Sequence, residues 1–216
     1  MSVLVEHYPS ILRAFGMTIA LFLVAAFFTM VFGILLGVMR VVPIVGFRVF
    51  SAVYVALFRN LPPVLIFLVV TLCLPILGVR LSFFAYAIIA LTLYEAAFIC
   101  EAVKSGINFI DRGQSEAARA IGMSGSQMLL YVIVPQALRY AMPPIANYMI
   151  ALCKATSLAG MFGVGEATIQ LKYLTDENPA EIFTLFATIA LGYLAINFTI
   201  AGWLRRYERD AHARPA

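Results

Sequence analysis

Charged side chains divide the chain into long apolar runs. Residues 14–39, 60–79 and 182–204 carry no charge at all. Residues 81–103 are interrupted only by Glu95 and Glu101, and residues 140–165 only by Lys154. A membrane helix needs about 20 predominantly apolar residues, which each of these runs supplies. The pattern predicts five spans, near 14–39, 60–78, 83–105, 138–162 and 182–204. The first is expected to remain a span rather than be cut as a leader, since its apolar core is too long and no basic segment precedes it.

The segment between the third and fourth spans is patterned differently. Asp111 with Gln114, and Ser124 with Gln127, each match the spacing by which a side chain caps a helix start. Gln114–Ile121 has high helix propensity, and Gly122 is placed to close that helix. Met128–Val134 reads as a further apolar helix stopped at Pro135. A helix as short as 114–121 is unstable alone, so something must pack on it: its own bundle or a partner's groove.

Composition agrees with a membrane protein. Of 216 residues, 63% are hydrophobic and 12% charged, and the mean hydropathy is +0.96. A soluble domain carries about 25% charged residues, so a soluble enzyme, a disordered chain and a nucleic-acid-binding module are excluded. Cys73, Cys100 and Cys153 lie in apolar stretches without metal-type spacing and are expected to act as small buried hydrophobes. The net charge of +4 reflects topology rather than a polyanion partner. With the N-terminus outside, the inner side receives Arg40, Arg48, Arg59, Lys104, Arg112, Arg119, Arg139, Arg205, Arg206, Arg209 and Arg214. The outer side receives only Arg13, Arg80 and Lys172, a strong positive-inside bias. Glu6, Glu166, Asp176, Glu177 and Glu181 fall mostly outside. The chain is therefore expected to start outside and end in the cytoplasm, as one domain over 1–216 with its core at about 12–205.

Particular residues make the patterned loop, about 106–137, recognisable. Glu116-Ala117-Ala118, then Gly122, then Ile133-Val134-Pro135 resembles the EAA signature of ATP-binding-cassette importer permeases. The stretch Gly113–Leu158 resembles the polar amino acid branch of that family, of histidine, glutamine, arginine or glutamate type. Tyr54–Pro62 is similar to the branch's Y-x-x-x-F-R-G/N-T-P segment, and Ala97–Ile107 to its AY-x-x-E-x-x-R-x-G-I segment. Together these cover most of the chain from about Leu12 to Arg205.

The resemblance implies an all-α type I importer permease with five transmembrane helices and a cytoplasmic coupling helix. It carries an ATPase-coupling role onto Glu116, Ala117, Ala118 and Gly122. Small alanines allow close approach, Gly122 permits a sharp turn, and Glu116 offers a charge to a basic partner. Arg119, one turn on, is placed to pair with Glu116. No G-x-x-x-x-G-K-[ST] phosphate loop occurs in the chain, so ATP with Mg would be hydrolysed by a partner and this chain would bind no cofactor or metal and hold no catalytic residue. Implied partners are a cytoplasmic ATPase dimer, a second permease subunit, an extracytoplasmic solute-binding protein docking near 163–181, the bilayer and an amino acid, with no nucleic acid. The implied location is the bacterial inner membrane.

Ionisable groups at membrane depth are candidates for the substrate path. Glu95 lies midway along the third span, while Glu101 and Lys104 read as a structural pair. Lys154 lies ~28 Å along a helix from Pro135, with Asn147 on its face. Pro143-Pro144 and Pro62-Pro63, the latter after Arg59-Asn60, mark breaks that are tolerated beside a cavity or protein neighbours. The family's K-D-T-S-L pattern reads Lys154-Ala155-Thr156-Ser157-Leu158 here, without the aspartate. This points to Lys154 as the attractor of a substrate carboxylate, with Thr156 and Ser157 as hydrogen-bond partners and Glu95 as a replacement for the lost charge. Gly33 and Gly37 have the spacing for close helix packing. The competing reading is a secondary transporter or channel working without an ATPase. The EAA loop and the lack of an inverted repeat argue against it.

Overall fold

The structure, a computed structural model, describes residues 2–213, and Arg214 of the expected inner basic set lies outside them. All regular structure among these residues is helical. Helix α1 (Ser2–Met39) contains the first uncharged run and begins well before it, because Glu6 and Arg13 add polarity without a helix stop. Helix α2 (Val45–Asn60) corrects the sequence reading, which left these residues in a connecting loop. It is amphipathic and rests on its neighbours through two buried ties. Ser51 Oγ donates to Leu36 O at 2.8 Å and Tyr54 Oη to Leu93 O at 2.6 Å. With α3 (Pro63–Ile76) it forms a broken span bent by 105°. The break falls where Pro62 and Pro63 remove two consecutive N–H donors.

Helix α4 (Phe83–Asn108) is the central element, started by Ser82, whose Oγ accepts from Ala85 N at 3.2 Å. Helix α1 packs closely on it at the two spaced glycines. A Cβ at Gly33 would lie 2.5 Å from Ile99 Cβ, and one at Gly37 2.7 Å from Val103 Cβ. The small pair therefore serves a contact inside the chain. Fully buried Leu21, Phe67, Leu91, Ile99 and Leu152 form the core between α1, α3, α4 and the later α7. Large apolar side chains such as Phe27, Phe183, Phe198 and Trp203 face outward, as a lipid-facing surface requires. Cys100 and Cys153 are buried as expected, whereas Cys73 lies on the exposed face of α3.

Next come α5 (Arg112–Ala120) and α6 (Gly125–Gln127). A π-helical turn, Met128–Ile133, then leads directly into α7 (Val134–Ala155). Pro135 does not stop a helix here; it stands in the first turn of α7, where the widened turn accommodates a residue without an N–H. Helix α7 also runs through Pro143 and Pro144, which leave the carbonyls of Arg139 and Tyr140 without their usual donors. A 3₁₀ segment, Thr156–Phe162, completes this span.

Residues 167–177, left between the fourth and fifth predicted spans by the sequence reading, are helical. They form α8 (Ala167–Glu177), which buries Ala167 and Leu174 against α1 and the last helix, α9 (Ile182–Ala213). Among the described residues, four helical stretches are long and apolar enough to cross a membrane, and counting the bent α2–α3 pair as one span gives five.

Candidate functional site

Two regions carry the chemistry, and the first is α5. Asp111 caps its start, with Oδ1 accepting from Gly113 N at 2.6 Å. Gly122 ends it at φ +82°, a left-handed conformation that glycine adopts without a Cβ penalty. Met123 N donates back to Ala118 O at 3.1 Å, closing the turn. Ala118 is buried against the chain, while Glu116, Ala117, Arg119 and Gly122 are exposed. The expected Glu116–Arg119 pair is not among the ion pairs of the described residues; both charges stand in the open. Ile121, Leu130 and Tyr131 expose apolar surface beside them. Downstream, Ser124 and Gln127 form a reciprocal capping box. Gln136 Nε2 donates to Gln114 Oε1 at 3.3 Å, tying α5 to the start of α7.

The second region follows α7. Lys154 and Asn147 share one exposed face of that helix, as their spacing predicts. Thr156 and Ser157 are otherwise engaged. Thr156 is fully buried with Oγ1 donating to Cys153 O, and Ser157 Oγ donates to Lys154 O, each at 2.7 Å. Both hydroxyls thus bond the carbonyl three residues back, within their own segment. Glu95 is 3% exposed and lies inside the bundle rather than beside Lys154 on the open face. Arg59 joins a different group. Its Nη1 lies 3.8 Å from Glu101 Oε2, and its guanidinium stacks over Phe98 at 5.3 Å. Glu101 also meets Arg40 at 3.1 Å and the expected Lys104 at 3.8 Å.

One polar cluster escaped the sequence reading. Glu166 is fully buried between the fourth and fifth spans, where it caps α8. Its carboxylate accepts from Thr168 N at 2.8 Å, Ile169 N at 2.9 Å and Tyr193 Oη at 2.8 Å. Thr18 Oγ1 accepts from Ala167 N at 3.2 Å. Burial pushes the Glu166 carboxyl above the usual carboxylate range, against these hydrogen bonds, which lower it. Gly165-Glu166 followed by a helical stretch was the available signal, a helix start capped by a carboxylate. No group of three or more His, Cys, Asp or Glu suited to a metal occurs among the described residues.

Comparison with known proteins bears on both regions. The family described as "Binding-protein-dependent transport system inner membrane component" matches residues 30–212. A probable glutamine ABC transporter permease protein of Bacillus subtilis is 34% identical over 205 residues, covering 94% of each chain. A glutamate transport system permease protein of Corynebacterium efficiens is 36% identical over 200 residues, covering 87% of this chain and 88% of its own. Among solved structures, a crystal structure of an amino acid ABC transporter with histidines superposes with a TM-score of 0.85 at 25% identity, covering 96% of each chain.

Proposed function

The chain belongs to the binding-protein-dependent transport system inner membrane component family, and we propose that it is the transmembrane subunit that forms an amino acid uptake path with a second permease chain. A cytoplasmic ATP-binding-cassette ATPase dimer drives it, holding ATP and Mg, and an extracytoplasmic solute-binding protein delivers the amino acid. The chain sits in the bacterial inner membrane with its N-terminus outside and α5 in the cytoplasm. The positive-inside bias of the basic residues supports that orientation.

The observation that carries the reading is α5 itself. It leaves Glu116 and Arg119 unpaired, frames them with exposed Ile121, and connects to α7 through Gln114 and Gln136. An ATPase cleft that receives α5 can therefore move α7, the helix bearing Lys154 and Asn147. The relatives described above are named for glutamine and glutamate transport, substrates without net positive charge. Ala155, where the family pattern has an aspartate, favours the same class. Lys154 attracts the substrate carboxylate, with Asn147 beside it on the same face.

The test is co-purification from mild detergent. The wild-type chain brings an ATPase with it, and Glu116→Lys or Gly122→Val loses that ATPase while the chain still inserts. Retention of the ATPase by both variants contradicts the coupling role of α5.

A further inference from the structure

What holds the bend of the broken span is not local. Leu61 is extended, and Pro62 and Pro63 offer no N–H to continue the α2 ladder. The hydrogen bond from Leu65 N to Pro62 O belongs to the first turn of α3. The buried ties from Ser51 and Tyr54 hold the earlier part of α2. In the last turn, next to the break, Asn60 bonds only within its own helix, to Ala56 O. Phe58 and Leu61 pack partly buried against the core at this end, and the polar tertiary anchor is Arg59, paired with Glu101 and stacked on Phe98.

Glu101 is also where two other elements meet. Arg40, the first residue after α1, donates to Oε1 at 3.1 Å and is 16% exposed, while Lys104 of α4 reaches the same oxygen at 3.8 Å. One carboxylate thus serves three cations, and among the described residues no second acid pairs with any of them. The Arg40 contact is short and shielded. The Arg59 contact is long, and its side chain is 41% exposed. Without the carboxylate, three positive charges would face one another, and Arg59 is the one free to swing outward. That would release the end of α2 from α4.

We propose that Glu101 is a positioning residue for transport, fixing the α2–α3 bend through Arg59 while Arg40 anchors it to the end of α1. The proposal rests on the transporter reading above.

The experiment uses the complex with its ATPase, reconstituted in proteoliposomes. Spin labels go on Leu57 in the last turn of α2 and on Val69 of α3, both exposed. Cys73→Ser removes the exposed thiol, and Cys100 and Cys153 are buried. Glu101→Gln is expected to broaden the distance distribution and lower ATP-driven uptake at least tenfold with the ATPase still bound. Glu101→Asp is expected to keep the narrow distribution. Because both substitutions break the same contact, Glu101→Gln with Arg59→Gln is expected to take up substrate no more slowly than Glu101→Gln alone. If Glu101→Gln does not assemble, Arg59→Gln by itself reads the same contact and should also broaden the distribution. A wild-type distribution in Glu101→Gln or Arg59→Gln, or a double variant slower than either single one, overturns the proposal. Uptake without any ATPase would overturn the transporter-subunit reading instead, and the distance measurement would stand apart from it.

Discussion

Single side chains divide here into those spent on the fold and those left free. Thr156, Ser157 and Glu166 have their polar atoms bonded within the chain, whereas Lys154 and Asn147 present theirs on an open face. Lys154→Ala should therefore leave assembly with the ATPase intact and abolish uptake of a labelled amino acid; normal uptake kinetics would remove Lys154 from the path. Glu166 makes a different prediction. Its carboxyl lies above the ordinary range in the folded protein, so over that window the folded state binds more protons than the unfolded one. Stability then falls as pH rises from the unfolded carboxyl value through the folded one. The thermal midpoint in detergent should show that slope in the wild type and a shallower one in Glu166→Gln. An unchanged slope in the variant would assign it to another group. Lys154 and Asn147 were legible in the sequence because a charge in an apolar run stands out. The Glu101 cluster was only half legible: Lys104 lies one turn away, but Arg40 is 61 residues distant and meets Glu101 only through folding.

At the scale of elements, five spans could be read because a long run without charge has few alternatives in a bilayer. The element the reading lost was α2. Arg48 and Arg59 cut its apolar run short, and its period becomes meaningful only beside α1 and α4. Helix α8 was lost for the opposite reason. Gln170, Lys172 and Asp176 make it look solvated, while its burial depends on little more than Ala167 and Leu174. The turn at Met128–Ile133 has the composition of an α-helix, and only its hydrogen-bond pattern makes it π-helical. The best-specified pairing is α1 on α4. A methyl group at Gly33 meets Ile99 Cβ, a branched atom close to the backbone with little room to yield. Gly33→Ala should destabilise the protein by about 1–3 kcal/mol, read as a lower thermal midpoint. An unchanged midpoint would mean that α1 shifts freely along α4.

For the whole molecule, two ends have different tasks. In the proposed function α5 offers charge and apolar surface to the ATPase, and the bundle offers Lys154 on a face that a second permease chain would enclose. The sequence carries no G-x-x-x-x-G-K-[ST] phosphate loop; in the proposed function the energy comes from a partner ATPase and arrives through α5 and α7. In the further proposal the bent α2–α3 span is held at Glu101 of α4. The most direct measurement is uptake of labelled amino acids by proteoliposomes containing the purified complex, with and without ATP on the α5 side. Uptake that requires both ATP and the ATPase, and that Glu116→Lys abolishes, is the predicted result. Equal uptake by the permease chain alone, without ATP, would contradict the account.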